Sequence, residues 1–294
     1  MTNATRLTPT GQPVLVGIDG SDAGRRALVW AAEEARLRGA VLQVAHAGDV
    51  TAVSRGDAGT VEATAYGRQL LADAIATLAD DFPDLDVAPV LRDLTAAQLL
   101  IELSAEAALL VVGTRGRNRL AGLLLGSVSR SVAGHSRCPV VLVSDRTPSG
   151  GAGGDVVAGV SGSAAGRAAL RVACAEAALR GVAVRAVRSM AETEYTIEPY
   201  ADLQLDAEQW RRSQQALLDQ CVTEATEAYP DVPVKAQLVG APAHFALIDA
   251  ARDAALLVVG CRRPDATYLS RVGPVASWLM HESPVPIVLA GQTL

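Results

Sequence analysis

The chain repeats itself, and this constrains its fold more than any other feature. Val14-Leu-Val-Gly-Ile-Asp-Gly-Ser-Asp-Ala-Gly-Arg-Arg-Ala-Leu28 returns 142 residues later as Val156-Val-Ala-Gly-Val-Ser-Gly-Ser-Ala-Ala-Gly-Arg-Ala-Ala-Leu170. From Val14 to Gly39, 15 of 26 positions are identical between the copies. Ala107-Ala-Leu-Leu-Val-Val-Gly113 recurs without change as Ala254-Ala-Leu-Leu-Val-Val-Gly260, now at an offset of 147, so the second copy has gained five residues in its middle. Thr147-Pro-Ser-Gly-Gly-Ala-Gly-Gly154 lies between the copies and has linker composition. A period of this length signals two similar domains, residues 11–146 and 155–294, rather than a solenoid.

Within each copy, short apolar runs alternate with amphipathic stretches. In the first copy Val14–Ile18, Val41–Ala45, Val87–Leu91, Leu109–Val112 and Pro139–Val143 read as buried strands. Ser21 is a plausible N-cap for a helix over Asp22–Arg38, closed by Gly39. Leu70, Leu71, Ile75 and Leu78 share a face of a second helix, from about Thr60 to Ala79. Thr95 caps a third, to about Ala105, and Ser127–His135 forms a fourth. Strands alternating with helices imply an α/β fold, a parallel sheet covered on both faces. Ligands of such sheets bind beyond the carboxyl ends of the strands.

Charge and composition exclude several classes. The 294 residues carry 26 Lys+Arg against 32 Asp+Glu, a formal charge of −6. That lacks the basic footprint of a nucleic-acid binder. No stretch free of charged residues approaches the roughly 20 apolar residues of a membrane span. The N-terminal residues show no apolar run of the signal-peptide kind. Cys138, Cys174, Cys221 and Cys261 are never closer than 36 positions, which gives neither a zinc nor a redox pair. Four reduced thiols and a cytoplasmic address are expected. Lys235 is the only lysine, and Val232-Pro-Val-Lys-Ala-Gln-Leu238 reads as a strand without a glycine loop. P-loop, protein-kinase and Schiff-base chemistry all need a lysine in a particular setting, which this one does not have.

The chemistry-bearing segment follows the fourth strand. Gly113-Thr-Arg-Gly-Arg-Asn-Arg-Leu-Ala-Gly-Leu-Leu-Leu-Gly-Ser-Val128 has the spacing Gly113-x2-Gly116-x9-Gly126-Ser127 and opens a helix. Glycines admit close backbone approach or positive φ. The first amides of a helix, here Ser127, Val128 and Ser129, are free donors at the positive end of its dipole. The Ser127 hydroxyl serves as a helix cap or a further donor. Arg115, Arg117 and Arg119 add positive charge to the loop.

This spacing is similar to the ATP-binding signature of the universal stress protein family. Val-Gly-Ile-Asp-Gly-Ser after Leu15, the strand end Gln43-Val-Ala-His-Ala47 and Cys138-Pro-Val-Val-Leu-Val143 fit the same pattern. Nearly the whole chain is covered, as two copies in tandem of actinobacterial type. The resemblance implies two doubly wound five-stranded parallel sheets of order 3-2-1-4-5, adenine nucleotide alpha hydrolase-like. It also implies dimerisation through the last strand, Val140–Val143 or Ile287–Leu289, within one chain or between two. Members commonly bind ATP with little hydrolysis, and act in stress survival, dormancy or growth control. By position, Gly17 and Asp19 would meet the nucleoside and Ala47 the adenine through its backbone. Gly113, Thr114, Arg115, Gly116, Arg117 and Arg119 would line the triphosphate and any Mg2+ on it. Gly126, Ser127, Val128 and Ser129 would complete the cradle. His46 reads as a packed strand-end histidine.

The copies are not chemically equivalent. Asp19 aligns with Ser161, Gly116 with Arg263 and Ser127 with Pro274, which has neither hydroxyl nor N–H. The first copy is therefore expected to bind ATP and the second to be degenerate. Two rival readings stand beside this one: a slow ATPase or self-phosphorylating enzyme using Asp19 or Ser127, and a nucleotide-free dimerisation module. Trp30, Trp210 and Trp278 are expected in the core or at a domain interface. His135, His244 and His281 show no metal spacing, and Cys261, at the Thr114 position, is expected to be inert packing. The inserted acidic segment Met190–Tyr200 reads as a longer surface loop.

Overall fold

The computed structural model describes residues 11–48, 57–114, 126–147, 153–190, 207–261 and 272–291. In the first copy the elements are β1 (Val14–Gly17), α1 (Asp22–Arg38), β2 (Leu42–Ala47), α2 (Asp57–Ala79), β3 (Val87–Arg92), α3 (Ala96–Leu103), β4 (Leu109–Gly113), α4 (Ser127–His135) and β5 (Val140–Val143). The second copy has β6 (Val156–Gly159), α5 (Ala164–Arg180), β7 (Val184–Ser189), α6 (Ala207–Thr226), β8 (Val234–Val239), α7 (Ala243–Ala251), β9 (Leu256–Cys261), α8 (Pro274–Glu282) and β10 (Ile287–Gly291).

Each copy has the strand order 3-2-1-4-5, all parallel. The two halves join into one ten-stranded sheet, ordered β3-β2-β1-β4-β5-β10-β9-β6-β7-β8. The join is the one antiparallel pairing among the described residues, with Ile287 opposite Leu142, Val288 opposite Val141 and Leu289 opposite Val140. Two copies of a near-identical apolar strand meet about a local twofold, and neither is left as an open edge. The remaining edges are β3 and β8. Lys235 stands on β8, its side chain 62% exposed and its Nζ 3.3 Å from Asp155. A lysine on an outer strand discourages further strand pairing, and a pair so exposed adds little stability.

Alternation along the strands divides the core by face. Val14 and Val16 join the apolar cluster under α1 and α2, which continues under α5 and α6. Leu15 joins the opposite cluster, under α3, α4, α7 and α8. The caps are local. Ser21 Oγ accepts from Gly24 N, and Gly39 closes α1 at φ 60. Ser163 and Gly181 repeat both devices on α5. Thr95 and Gln98 form a full capping box on α3.

Two glycines are required by packing between copies of the same contact. A Cβ on Gly113 would lie 2.8 Å from the carbonyl carbon and oxygen of Ala23 on α1, and one on Gly260 2.5 Å from those of Ala165 on α5. Neither glycine has positive φ. Close helix approach, not a turn, demands them. Gly260→Ala is expected to destabilise the chain by about 1–3 kcal/mol, measured by urea unfolding, although its own copy has lost much of the phosphate motif.

Tryptophan placement departs from expectation. Trp30 is buried, but Trp210 is 44% and Trp278 37% exposed. Both lie on helix positions that face outward, and Trp278 sits in a surface cluster with His244 and Phe245. Cys261 is buried, with its thiol 3.6 Å from the Ala133 carbonyl, as inert packing requires.

Candidate functional site

A cleft of about 350 Å³ opens at the carboxyl ends of β1, β2 and β4 in the first copy. Gly17, Ile18 and Asp19 contribute one wall, Ala45, His46 and Ala47 a second, and Gly113 with Gly126, Ser127, Val128 and Ser129 a third. Volumes of about 300–1,000 Å³ are typical of small-molecule sites. Eight of the expected residues thus meet in one place: Gly17, Asp19, Ala47, Gly113 and the four from Gly126 to Ser129.

Local bonding sets the role each of these can take. Asp19 Oδ1 accepts from Ser21 N at 3.0 Å and Ser21 Oγ at 2.6 Å. Its carboxylate is thereby fixed above the first turn of α1. His46 Nδ1 donates to the Ile18 carbonyl at 2.8 Å, tying β2 to the end of β1. That bond gives His46 a structural task, although its ring also lines the cleft.

Helix α4 begins with Gly126 as N-cap and has no side-chain capping bond. Ser127 is the first helical residue, not the cap. With no side-chain cap, the helix presents its leading amides to the cleft. Ser129 is different: its Oγ donates to the Gly113 carbonyl at 2.8 Å, so the hydroxyl anchors α4 to β4. Thr114 is buried beside the cleft rather than in its lining, its N–H bonded to Val143 O and its carbonyl to Gly126 N. The first ties the end of β4 to β5 and the second ties it to the start of α4, so both backbone groups of Thr114 are already used. Arg115, Gly116, Arg117 and Arg119 lie outside the described residues.

Sequence reasoning missed the apolar wall. Ala96, Leu99 and Leu100 of α3 and Val112 of β4 line the cleft. A Cβ on Gly17 would strike Leu100 Cδ1 at 2.7 Å, so Gly17 lets α3 close on the strand end. The signal was present as the capping box at Thr95, which fixes where α3 starts and thus where Leu99 and Leu100 point.

The same place in the second copy is rebuilt. Ser161 Oγ bonds Ser163 Oγ at 2.8 Å, where the first copy sets a carboxylate against Ser21. Arg188 stands at the His46 position; Nη1 donates to Val160 O, and its other nitrogens reach Gln214 of α6. Ser189, at the Ala47 position, donates to the Ala241 carbonyl at 2.6 Å. Pro274 opens α8 behind the Gly273 N-cap. Proline suits that position sterically but presents no amide. Arg263 lies outside the described residues.

The fold and cleft define a doubly wound α/β protein, written twice, with a cleft of small-molecule size at the strand ends of its first half. The universal stress protein family model matches residues 11–144 and again 154–290. The chain belongs to the universal stress protein family. A universal stress protein of Mycobacterium tuberculosis is 30% identical over 297 residues, covering 95% of this chain and 97% of that protein. One from Mycolicibacterium smegmatis is 30% identical, covering 94% and 96%. The crystal structure of a universal stress protein from Archaeoglobus fulgidus shares the fold, with a TM-score of 0.73 at 17% identity, over 96% of this chain and 99% of that one. Among the described residues no helix is long and apolar enough to cross a membrane.

Proposed function

We propose that the first copy binds an adenine nucleotide, in its fullest form ATP, and that the second copy does not. The observation that carries this reading is convergence. Five separate segments, ending β1, β2 and β4 and opening α3 and α4, meet in one cleft with an uncapped helix N-terminus at one side. Apolar Leu99, Leu100 and Val112 suit a base, Asp19 a ribose hydroxyl, and the amides of Ser127 and Val128 a phosphate. Mg2+, where present, would enter on the phosphates. The amide that Pro274 lacks and the carboxylate that Ser161 replaces are the second copy's losses.

The role is regulatory rather than catalytic: stress response, dormancy or growth control in the cytoplasm. Asp19 is held by Ser21, and the chain's single lysine lies on the far edge of the other copy. Binding fills the cleft and thereby alters what this end of the first copy presents. The direct test is to denature freshly purified protein and analyse the released small molecules by mass spectrometry. Adenine nucleotide at up to one equivalent per chain is expected; a chain that releases none and takes up none when ATP or AMP is added contradicts the reading.

A further inference from the structure

A second and larger cavity, about 530 Å³, lies on the opposite face of the sheet, between α1 and α2. Its floor is Leu28, Trp30, Leu70, Ala74 and Val143. It is open to solvent, since Val29 and Tyr66 on its rim are 38% and 43% exposed. Ile18 and Gly24 line both this cavity and the strand-end cleft, so only the turn from β1 into α1 separates the two.

The second copy supplies an internal control. The helix pair α5 and α6 repeats α1 and α2, with Leu217 and Leu218 at the positions of Leu70 and Leu71. There Arg167 of α5 pairs with Glu224 of α6 across the mouth between the helices. Arg25 matches Arg167, but Thr77 matches Glu224. Arg25 turns instead to Asp22 on its own helix, and Thr77 Oγ1 donates to the Asp73 carbonyl. The first copy has also put Val29 where the second has Arg171, and Trp30 where it has Val172. One cross-helix ion pair has been removed and apolar surface added at the same place.

The charges around the rim limit what the groove can hold. Arg25 is matched by Asp22, Arg26 by Asp145 at 2.7 Å, and Asp73 accepts from Gln69 at 2.8 Å. The lining itself holds two cations, Arg25 and Arg26, and two anions, Glu33 and Asp73. With Asp22 and Asp145 just outside it the rim offers nothing to an anion, and an apolar floor with a few polar rim groups suits a small molecule rather than a helix or a strand. We propose that this groove binds an uncharged, mostly apolar small molecule carrying one polar end, of the size of a fused-ring aromatic ketone or a long-chain alcohol.

Prodan, an uncharged naphthalene ketone, is the probe. In full-length protein carrying Trp210→Phe and Trp278→Phe, Trp30 is the sole tryptophan and reports from the groove floor. Saturable binding of one prodan per chain, with quenching of Trp30 emission, is expected. Val29→Arg with Thr77→Glu copies the second copy's chemistry and gives Arg25 a carboxylate on the facing helix. Both positions are exposed, so the fold is retained, which an unchanged circular dichroism spectrum checks. This variant is expected to weaken prodan binding at least tenfold, with Thr77→Glu alone intermediate. Prodan binding that does not saturate, leaves Trp30 emission unchanged, or is equal in the folded double variant overturns the proposal.

Discussion

Glu176→Ala is expected to destabilise the folded chain by about 3–5 kcal/mol, the largest effect of any single substitution considered. Glu34, Arg38, Glu176 and Arg180 form a quartet at the crossing of α1 and α5. The second pair lies 142 residues after the first, so the quartet sits on the same local twofold as the β5–β10 join. Each arginine bridges both carboxylates: Arg38 reaches Glu34 at 2.7 Å and also Glu176, and Arg180 reaches both in turn. The carboxylates are 1% and 3% exposed at the side chain and the arginines 14%. Removing one glutamate leaves two guanidinium groups facing a single carboxylate out of water.

The balance inside the quartet is fine. Burial, and then the charge of Glu176, push Glu34 up to about 7. Glu176 feels burial too, but Arg38 and Arg180 outweigh it and hold it below the usual range. A raised carboxylate binds its proton more tightly in the folded state, so the Glu34 contribution to stability falls as pH rises from 4.5 towards 7. The lowered Glu176 acts in the opposite sense, its contribution being lost as pH falls below 4.5. Urea unfolding of wild type and variant measures the difference. Replacing all four residues by apolar ones of similar volume is expected to be near neutral or stabilising, since the ions no longer need dehydrating. A Glu176→Ala variant as stable as wild type would mean that the two halves do not pack through α1 and α5 in solution. The quartet selects one pairing of the halves by leaving charges stranded in any other.

Ser127→Pro is expected to weaken adenine nucleotide binding by about 10–100-fold, the loss of charge-assisted bonds from one amide and one hydroxyl. The helix should tolerate the change, because α8 already begins with Pro274 at that position. Ser127→Ala keeps the amide and is expected to lose about tenfold, the value of one hydrogen bond to a charged group. Isothermal titration of the two variants with ATP separates the contributions. Equal affinity in wild type and Ser127→Pro would remove the α4 terminus from the site.

What the sequence made legible was mostly local. Ser21, Gly39 and Thr95 announce helix ends through their own side chains or φ, and all three act as read. The repeat and the strand–helix alternation gave two parallel α/β halves; the strand order of each came with the family resemblance. The helix contacts between halves were not legible. Glu34 and Arg38 stand four apart, the spacing of a solvated helix pair, and only the twofold buries them. The pairing of β5 with β10 came only from the resemblance, which left open whether it joins two halves of one chain or two chains. In the site, Gly113 was read for its backbone freedom, whereas its neighbour Ala23 on α1 is what forbids a side chain. Leu99 and Leu100 were hidden because an apolar pair on an amphipathic helix looks the same whether it faces core or ligand.

One domain fold is used twice, and the nucleotide site proposed for it lies in the first use alone. Calorimetric titration of the full chain with ATP tests this most directly, through its stoichiometry. One nucleotide bound per chain is the result expected. Two equivalents would contradict the asymmetry between the copies, and none would remove the nucleotide from the account altogether.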